Sequence, residues 1–374
     1  MNTIKNVKNL VEYVWIDGTG GLRSKTKVIS RLSNKKFEIP EWNFDGSSTV
    51  QAEGHYSEVM LHPRRIFKDP FRRNGENYLV MCSTHYPDGK PGVNNNHEWA
   101  ASIFAQKPEE EPMFGMEQEY FFLDPKTRKP VGFGNGEGIR EQGPYYCGVG
   151  ANNIFCRQIA EEHLEHCIYA GINVTGWNNE VGISQHEYQI CATGIEAGDQ
   201  LWMARYIMER VAEKHNVLVE LHPKPFLKDW NGSGCHVNYS TKLMREGLTE
   251  IVPSDEPDEE SVDPNSPYGN LKKSAKVIVK RKGIEYIKEA IAKLEAKHDD
   301  HMKVYGEDNR LRMTGIHETA TYDKFSWGIA NRGASVRVGN ETAKNEKGYL
   351  EDRRPSSNMD PYIVTAKIFE TTCL

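Results

Sequence analysis

The chain has 374 residues, 38% hydrophobic and 27% charged, with a formal net charge of −6 at pH 7 and a mean hydropathy of −0.67. That is enough chain for a large core and two domains, and its acidic balance offers no footprint for a nucleic-acid partner. No apolar run approaches the ~20 residues a membrane span needs, and the polar stretch Met1 to Leu10 carries no secretory signal.

Taken in order, Tyr13-Val14-Trp15-Ile16-Asp17 and Lys25 to Leu32 alternate in polarity around the Gly18 to Gly21 turn, which predicts a β-hairpin. Asp45-Gly46-Ser47-Ser48 reads as a tight loop capped by side chains. Tyr78 to Thr84 is strand-like, and a turn-rich run to Gly92 sets a domain boundary near Asn95, giving domains 1–95 and 96–374. The second domain opens with a helical segment, His97 to Gln106. Amphipathic helices follow at Asn153 to Gly171, with Gly171 as C-terminal cap, at Asp199 to His215, and around Ile284 to Leu294. Residues 247–283 combine an acidic, proline-rich half with a basic one, and this composition predicts an exposed, mobile insertion. Seven cysteines without a Cys-x-x-Cys pair read as free thiols of a reducing compartment.

Within Gly115-Met116-Glu117-Gln118-Glu119-Tyr120-Phe121-Phe122-Leu123 the period of a strand puts Glu117 and Glu119 on one face. Two like charges side by side need a cation or a basic partner, unless the face is simply solvated. Glu180, Glu187, His236 and Glu351 are candidates to join them, and oxygen-rich sets with an imidazole suit Mg²⁺ or Mn²⁺ rather than structural zinc. Arg310, Arg312, Arg332, Arg337, Arg353 and Arg354 cluster in the last third, where guanidinium forks match carboxylate and phosphate oxygens. No phosphate-binding Gly-x-x-x-x-Gly-Lys-Ser/Thr loop is present, so a nucleotide site is expected to be of another kind.

In sequence order, Asn43-Phe44-Asp45-Gly46-Ser47-Ser48, Gly115 to Tyr120, Gly143 to Gly150, Lys224-Pro225, Asn231 to His236, His317-Glu318-Thr319, Ala330 to Ser335 and Glu351 to Pro355 resemble the glutamine synthetases of the eukaryotic, type II kind. The resemblance spans nearly the whole chain. It implies an α+β fold, with a small N-terminal β-grasp-like domain and a catalytic domain built on a curved antiparallel β-sheet flanked by helices. It also implies ATP- and metal-dependent ligation of ammonia to L-glutamate through a γ-glutamyl phosphate, in a cytoplasmic homodecamer of two pentameric rings.

Residue by residue, the resemblance assigns Glu119, Glu180 and Glu187 to a metal on the glutamate side, and Glu117, His236 and Glu351 to a second at the ATP phosphates. Arg312 and Gly232 match the groups that hold glutamate. Arg332, Arg337 and Arg353 match phosphate-facing arginines, and Asn238, Ser240 and Tyr349 match nucleotide-side positions. Asp45, contributed by a neighbouring subunit, and Glu318 on a closing flap match the carboxylates that receive ammonium and its proton. Three departures stand out: Met113 replaces the usual tryptophan beside the nucleotide, Gly182 to Glu187 departs from Met-Pro-x-Gln-Trp-Glu, and the 247–283 insertion is untypical.

Overall fold

In the computed structural model, residues 6–32, 36–134, 139–227, 229–253, 275–317 and 319–374 are described. Five strands, β1 (Asn6–Ile16), β2 (Leu22–Leu32), β3 (Trp42–Asp45), β4 (Glu58–Lys68) and β5 (Tyr78–His85), form one sheet in the order β2-β1-β5-β4-β3. The predicted hairpin is β1 and β2 in unbroken register from Asn6↔Leu32 to Ile16↔Leu22. Alternation along β1 sorts its side chains: Val11, Tyr13 and Trp15 pack with Phe44, Val59 and Leu61, while Val14 and Ile16 join the larger core. Between them Glu12 is buried, and Arg72, Arg210, Ser24 and Tyr206 all hydrogen-bond to its carboxylate. Burial alone would raise its pKa, but the bonds from Tyr206 and Arg72 and the charge of Arg210 hold it below the usual range.

The second sheet contains β6 (Met113–Leu123), β7 (Val174–Asn179), β8 (Gln185–Thr193), β9 (Leu218–Glu220) and β10 (Cys235–Ser240). After an antiparallel ribbon of β11 (Leu248–Pro253) and β12 (Ala275–Arg281), it is completed by β13 (Trp327–Ile329), β14 (Val336–Val338) and β15 (Leu350–Asp352). Its order is β13-β14-β15-β10-β6-β8-β7, with β9 also on β6. One face packs on helices α1 (His97–Phe104), α2 (Arg157–Ala170), α3 (Ile195–His215) and α4 (Pro361–Cys373). Met116, Tyr120 and Phe122 of β6, Tyr188 and Ile190 of β8, and Val237 and Tyr239 of β10 supply the apolar side. The residues between them are therefore sent to the other face.

Two expectations change in detail. The α2 helix begins at Arg157 rather than Asn153, because Cys156 takes a left-handed conformation (φ 60°) just before it, and Gly171 caps its end in the same region (φ 87°). The 247–283 segment is not wholly irregular: β11 and β12 pair across it, while 254–274 lies outside the described residues. β-branched residues at both ends, Ile251, Val252, Val277 and Val279, have the strand preference that the charge count obscured.

Candidate active site

The polar face of the second sheet is ordered by strand register. Glu187 on β8 lies opposite Glu119 on β6, Glu117 lies opposite both Gln189 and His236, and Asn238 on β10 lies opposite Glu351, itself paired with Arg337 on β14. Five strands thus place predicted site residues side by side, with no loop needed to gather them. Asp45, Glu180, Gly232, Arg312, Arg332 and Tyr349 lie outside these strand-to-strand pairs.

Glu117, His236 and Glu351 bring one ligating atom each within 4.8 Å of one another. His236 Nδ1 is 3.4 Å from Glu117 Oε2 and 3.7 Å from Glu351 Oε1. Burial and the charge of Arg353 hold the imidazole well below its ordinary pKa, so it stays neutral with a lone pair to offer. Asn238 Nδ2 donates to Glu117 Oε1 at 2.8 Å, and Arg353 and Arg337 both donate to Glu351. Two carboxylates, each oriented by a further partner, and a neutral imidazole fit a divalent cation.

Glu119, Glu180 and Glu187 form the neighbouring acidic group. Glu119 Oε2 accepts from the Gly234 backbone at 2.7 Å, Glu187 Oε1 from Gln189 at 2.6 Å, and Glu180 Oε1 from Asn178 at 3.0 Å. Burial, then the facing carboxylates, push Glu119 and Glu187 well above the carboxylate range: Glu180 acts on the first, Glu117 and Glu119 on the second. Such a cluster is short of positive charge, which is the condition a second cation would relieve.

Glu119, Glu180 and His236 line a cavity of about 360 Å³ that also meets Gly232, Arg312, His317 and Arg353. Arg312 is buried and tethered: Nε donates to Asn309 at 3.1 Å, and Nη2 to the carbonyls of Arg353, Arg354 and Pro355 at 3.1, 2.7 and 3.2 Å. The other fork, Nη1, lies against Gly234, where an added Cβ would come within 3.0 Å of it. At Gly232 a Cβ would fall 2.5 Å from Arg312 Cγ, so both glycines are required by close approach rather than by an unusual φ.

The other predicted residues are dispersed. Ser240 is buried farther along β10 and accepts from Arg245 at 3.1 Å, with Met113 opposite it on β6. Tyr349 precedes β15 and is half exposed; Arg332 is exposed in the turn after β13. Asp45 caps the turn Gly46–Thr49, accepting from Ser47 N at 3.0 Å, and is exposed outside the cavity lining. Glu318 lies outside the described residues. The arginine cluster divides: Arg310 pairs with Asp323 on the surface, and Arg354 is buried against Asp352. Sequence reasoning missed Gln189, though its spacing from Glu187 places it on the same face, and Asn309, Gly234 and Gln142, the last lining the same cavity, whose contributions depend on tertiary approach.

Comparison with known proteins agrees with this geometry. Residues 7–87 match "Glutamine synthetase, beta-Grasp domain" and 101–266 match "Glutamine synthetase, catalytic domain". A glutamine synthetase cytosolic isozyme of Daucus carota is 50% identical over 98% of this chain and 95% of its own. The chain belongs to the glutamine synthetase family. A chloroplastic glutamine synthetase of Oryza sativa subsp. japonica is 48% identical over 98% of this chain and 78% of its own. A solved structure titled "GmaS/ADP complex-Conformation 1" shares the fold, with a TM-score of 0.66 at 16% identity, covering 97% of this chain and 77% of that one. The sheet of five strands and the antiparallel-rich sheet flanked by helices are therefore the α+β architecture of glutamine synthetases, with an N-terminal β-grasp domain.

Proposed function

We propose that this chain is a glutamate–ammonia ligase that uses ATP and divalent metal ions. The observation that carries the reading is the trio Glu117, His236 and Glu351 beside the Glu119, Glu180 and Glu187 group, with His236, Glu119 and Glu180 lining one cavity together with Arg312 and Arg353. A carboxylate is a poor acyl donor because its leaving group would be oxide. A γ-carboxylate oxygen of glutamate attacks the γ-phosphorus of ATP, the bond to ADP breaks, and the acyl carbon now carries phosphate. Ammonia then attacks that carbon and phosphate departs, giving L-glutamine.

Each side chain has a task in this sequence. Arg312, tethered through Nε and Nη2, presents Nη1 to glutamate's carboxylate next to the Gly232 backbone. Arg332, Arg337 and Arg353 face the phosphoryl oxygens, where fixed positive charge lowers the cost of charge developing in transfer. Asn238, Ser240 and Tyr349 lie toward the nucleotide. Two cations, Mg²⁺ or Mn²⁺, would be held by Glu117, His236 and Glu351 and by Glu119, Glu180 and Glu187, and when bound they supply charge neutralisation at the transferring phosphoryl group. Asp45 and Glu318 accept the proton that ammonium must lose before its nitrogen has a lone pair.

In one protomer Asp45 is exposed and outside the cavity lining, which supports an active site shared between subunits. A homodecamer of two pentameric rings, with domains 1–95 and 96–374 and a cytoplasmic location, completes the reading. The cytosolic relative from Daucus carota and seven free cysteines favour that location. The test is release of inorganic phosphate from ATP. It should require glutamate, ammonium and Mg²⁺ together, and well-folded protein that released none would refute the assignment.

A further inference from the structure

Gln185 opens β8, two residues before Glu187, and is fully buried. Its side-chain amide bonds in every direction open to it. Oε1 accepts from the Gly182 backbone at 3.1 Å and from Asn231 Nδ2 at 3.0 Å, while Nε2 donates to the Gly232 carbonyl at 2.9 Å and to Ser233 Oγ at 3.3 Å. A primary amide offers two acceptor positions and two N–H groups, so nothing is left over. Its orientation is settled too, because a backbone N–H can only donate and a backbone carbonyl can only accept. Gln185 is not part of the cavity lining, yet the segments it ties together supply Val181, Asn231 and Gly232 to that lining.

The consequence is sharpest at the peptide unit between Gly232 and Ser233. Its carbonyl is held by Gln185, and its N–H donates to the Pro223 carbonyl at 2.9 Å. A peptide unit is planar, so bonds at both ends fix its rotation. That restraint matters next to a glycine, whose backbone would otherwise be the freest of any residue. The Gly232 N–H itself meets no acceptor among the described residues, and Gly232 lines the cavity beside Arg312. A free donor next to a guanidinium suits one oxygen of a carboxylate whose other oxygen meets the arginine.

We propose that Gln185 is a positioning residue for glutamate: by gripping the Gly232 carbonyl it holds the Gly232 N–H where the substrate's α-carboxylate meets Arg312. The same residue sets the loop that bears Glu180, since its Oε1 takes the Gly182 N–H and its backbone carbonyl takes the Glu180 N–H at 2.9 Å. One buried side chain thus joins the glutamate-binding turn to an acidic loop of the same cavity. The role rests on the ligase reading above, and it acts on glutamate rather than on the nucleotide side of the sheet.

Steady-state kinetics on the full chain tests it with two variants. Gln185→Met keeps the length and loses every bond, and Gln185→Asn keeps the amide but stops a methylene short of Gly232. Each should raise KM for glutamate about tenfold or more while KM for ATP stays within about twofold. Hydrogen exchange of the wild-type chain, read at single residues, does not depend on either variant folding. It should find the Ser233 amide protected with or without glutamate, and the Gly232 amide protected only when glutamate is bound. A glutamate KM that either folded variant leaves unmoved, an equal rise in both KM values, a Ser233 amide that exchanges freely, or a Gly232 amide that glutamate does not protect overturns the proposal. Wild-type protein that releases no phosphate with glutamate, ammonium and Mg²⁺ present fails the ligase reading first and the proposal with it, so the two failures are told apart.

Discussion

Glu119 and Glu187 face each other as a register pair across β6 and β8, both buried and both forced toward the protonated form by burial and by neighbouring carboxylates. A fold that sets two acids opposite each other on adjacent strands carries an electrostatic cost in the absence of a cation. The metal-free protein is therefore less stable than its core would allow.

Divalent metal should restore that stability. At a concentration about 100 times its Kd, a ligand specific for the folded state adds about 2.7 kcal/mol, enough to raise the melting temperature by several degrees in a chain of this size. Scanning calorimetry with Mg²⁺ or Mn²⁺, then with a chelator, checks it. Glu187→Gln should stabilise the metal-free protein while shrinking the metal-dependent gain; an unchanged gain would remove Glu187 from the ligand set.

Gly232→Ala should act on glutamate and not on nucleotide. The new Cβ would sit 2.5 Å from Arg312 Cγ and 2.8 Å from the Pro223 carbonyl, so the guanidinium must leave its cage of carbonyls. Losing a charge-assisted, oriented bond costs about 1.5–3 kcal/mol, which corresponds to roughly a ten- to hundredfold rise in KM for glutamate. KM for ATP should stay within about twofold. Equal rises in both constants would mean that the substitution disturbs the whole cavity.

Asp199 offers a pH test away from the metals. Burial raises its pKa from 3.8 to about 6, against the hydrogen bond from Tyr362 Oη at 2.6 Å. Around it, Arg65 and Arg64 favour the charged form and Glu196 opposes it, while His97, 3.6 Å away, is itself depressed to about 4 and neutral above that. Because the folded pKa is the higher one, the folded state favours the protonated acid: this stabilisation is present below about pH 4 and lost as pH rises through 6. Asp199→Asn keeps an acceptor for Tyr362 and should stabilise the protein at pH 8 by up to about 3 kcal/mol, with little change at pH 4. Urea denaturation at the two pH values decides it, and destabilisation at pH 8 would show that Asp199 is worth more charged than neutral.

The sheet face was legible in the sequence because a strand's period of two is a local property: Glu117 and Glu119, or His236 and Asn238, share a side wherever the strand lies. Which strands adjoin was not legible. That Glu117 meets His236 and Glu119 meets Glu187 depends on the order β15-β10-β6-β8, set by long connections whose residues carry no pairing signal. The resemblance to glutamine synthetases supplied that pairing before the fold did.

Asp45 provides the test of shared active sites. It is exposed at the end of β3, with its carboxylate held low by Ser47 and other neighbouring hydrogen bonds, so it stays ionised and able to accept a proton. If a neighbour's Asp45 completes each site, Asp45→Ala and Glu117→Ala proteins are each inactive for different reasons, and each assembles normally because Asp45 is exposed and Glu117 is partly exposed on the polar face of its sheet. Unfolding the two together and refolding the mixture should recover roughly a quarter of wild-type turnover, since half the subunits keep Glu117 and half of their neighbours supply Asp45. Size-exclusion chromatography must show the same assembly in every sample. Recovery no greater than the sum of the separate variants would place Asp45 in its own subunit's chemistry, or in none.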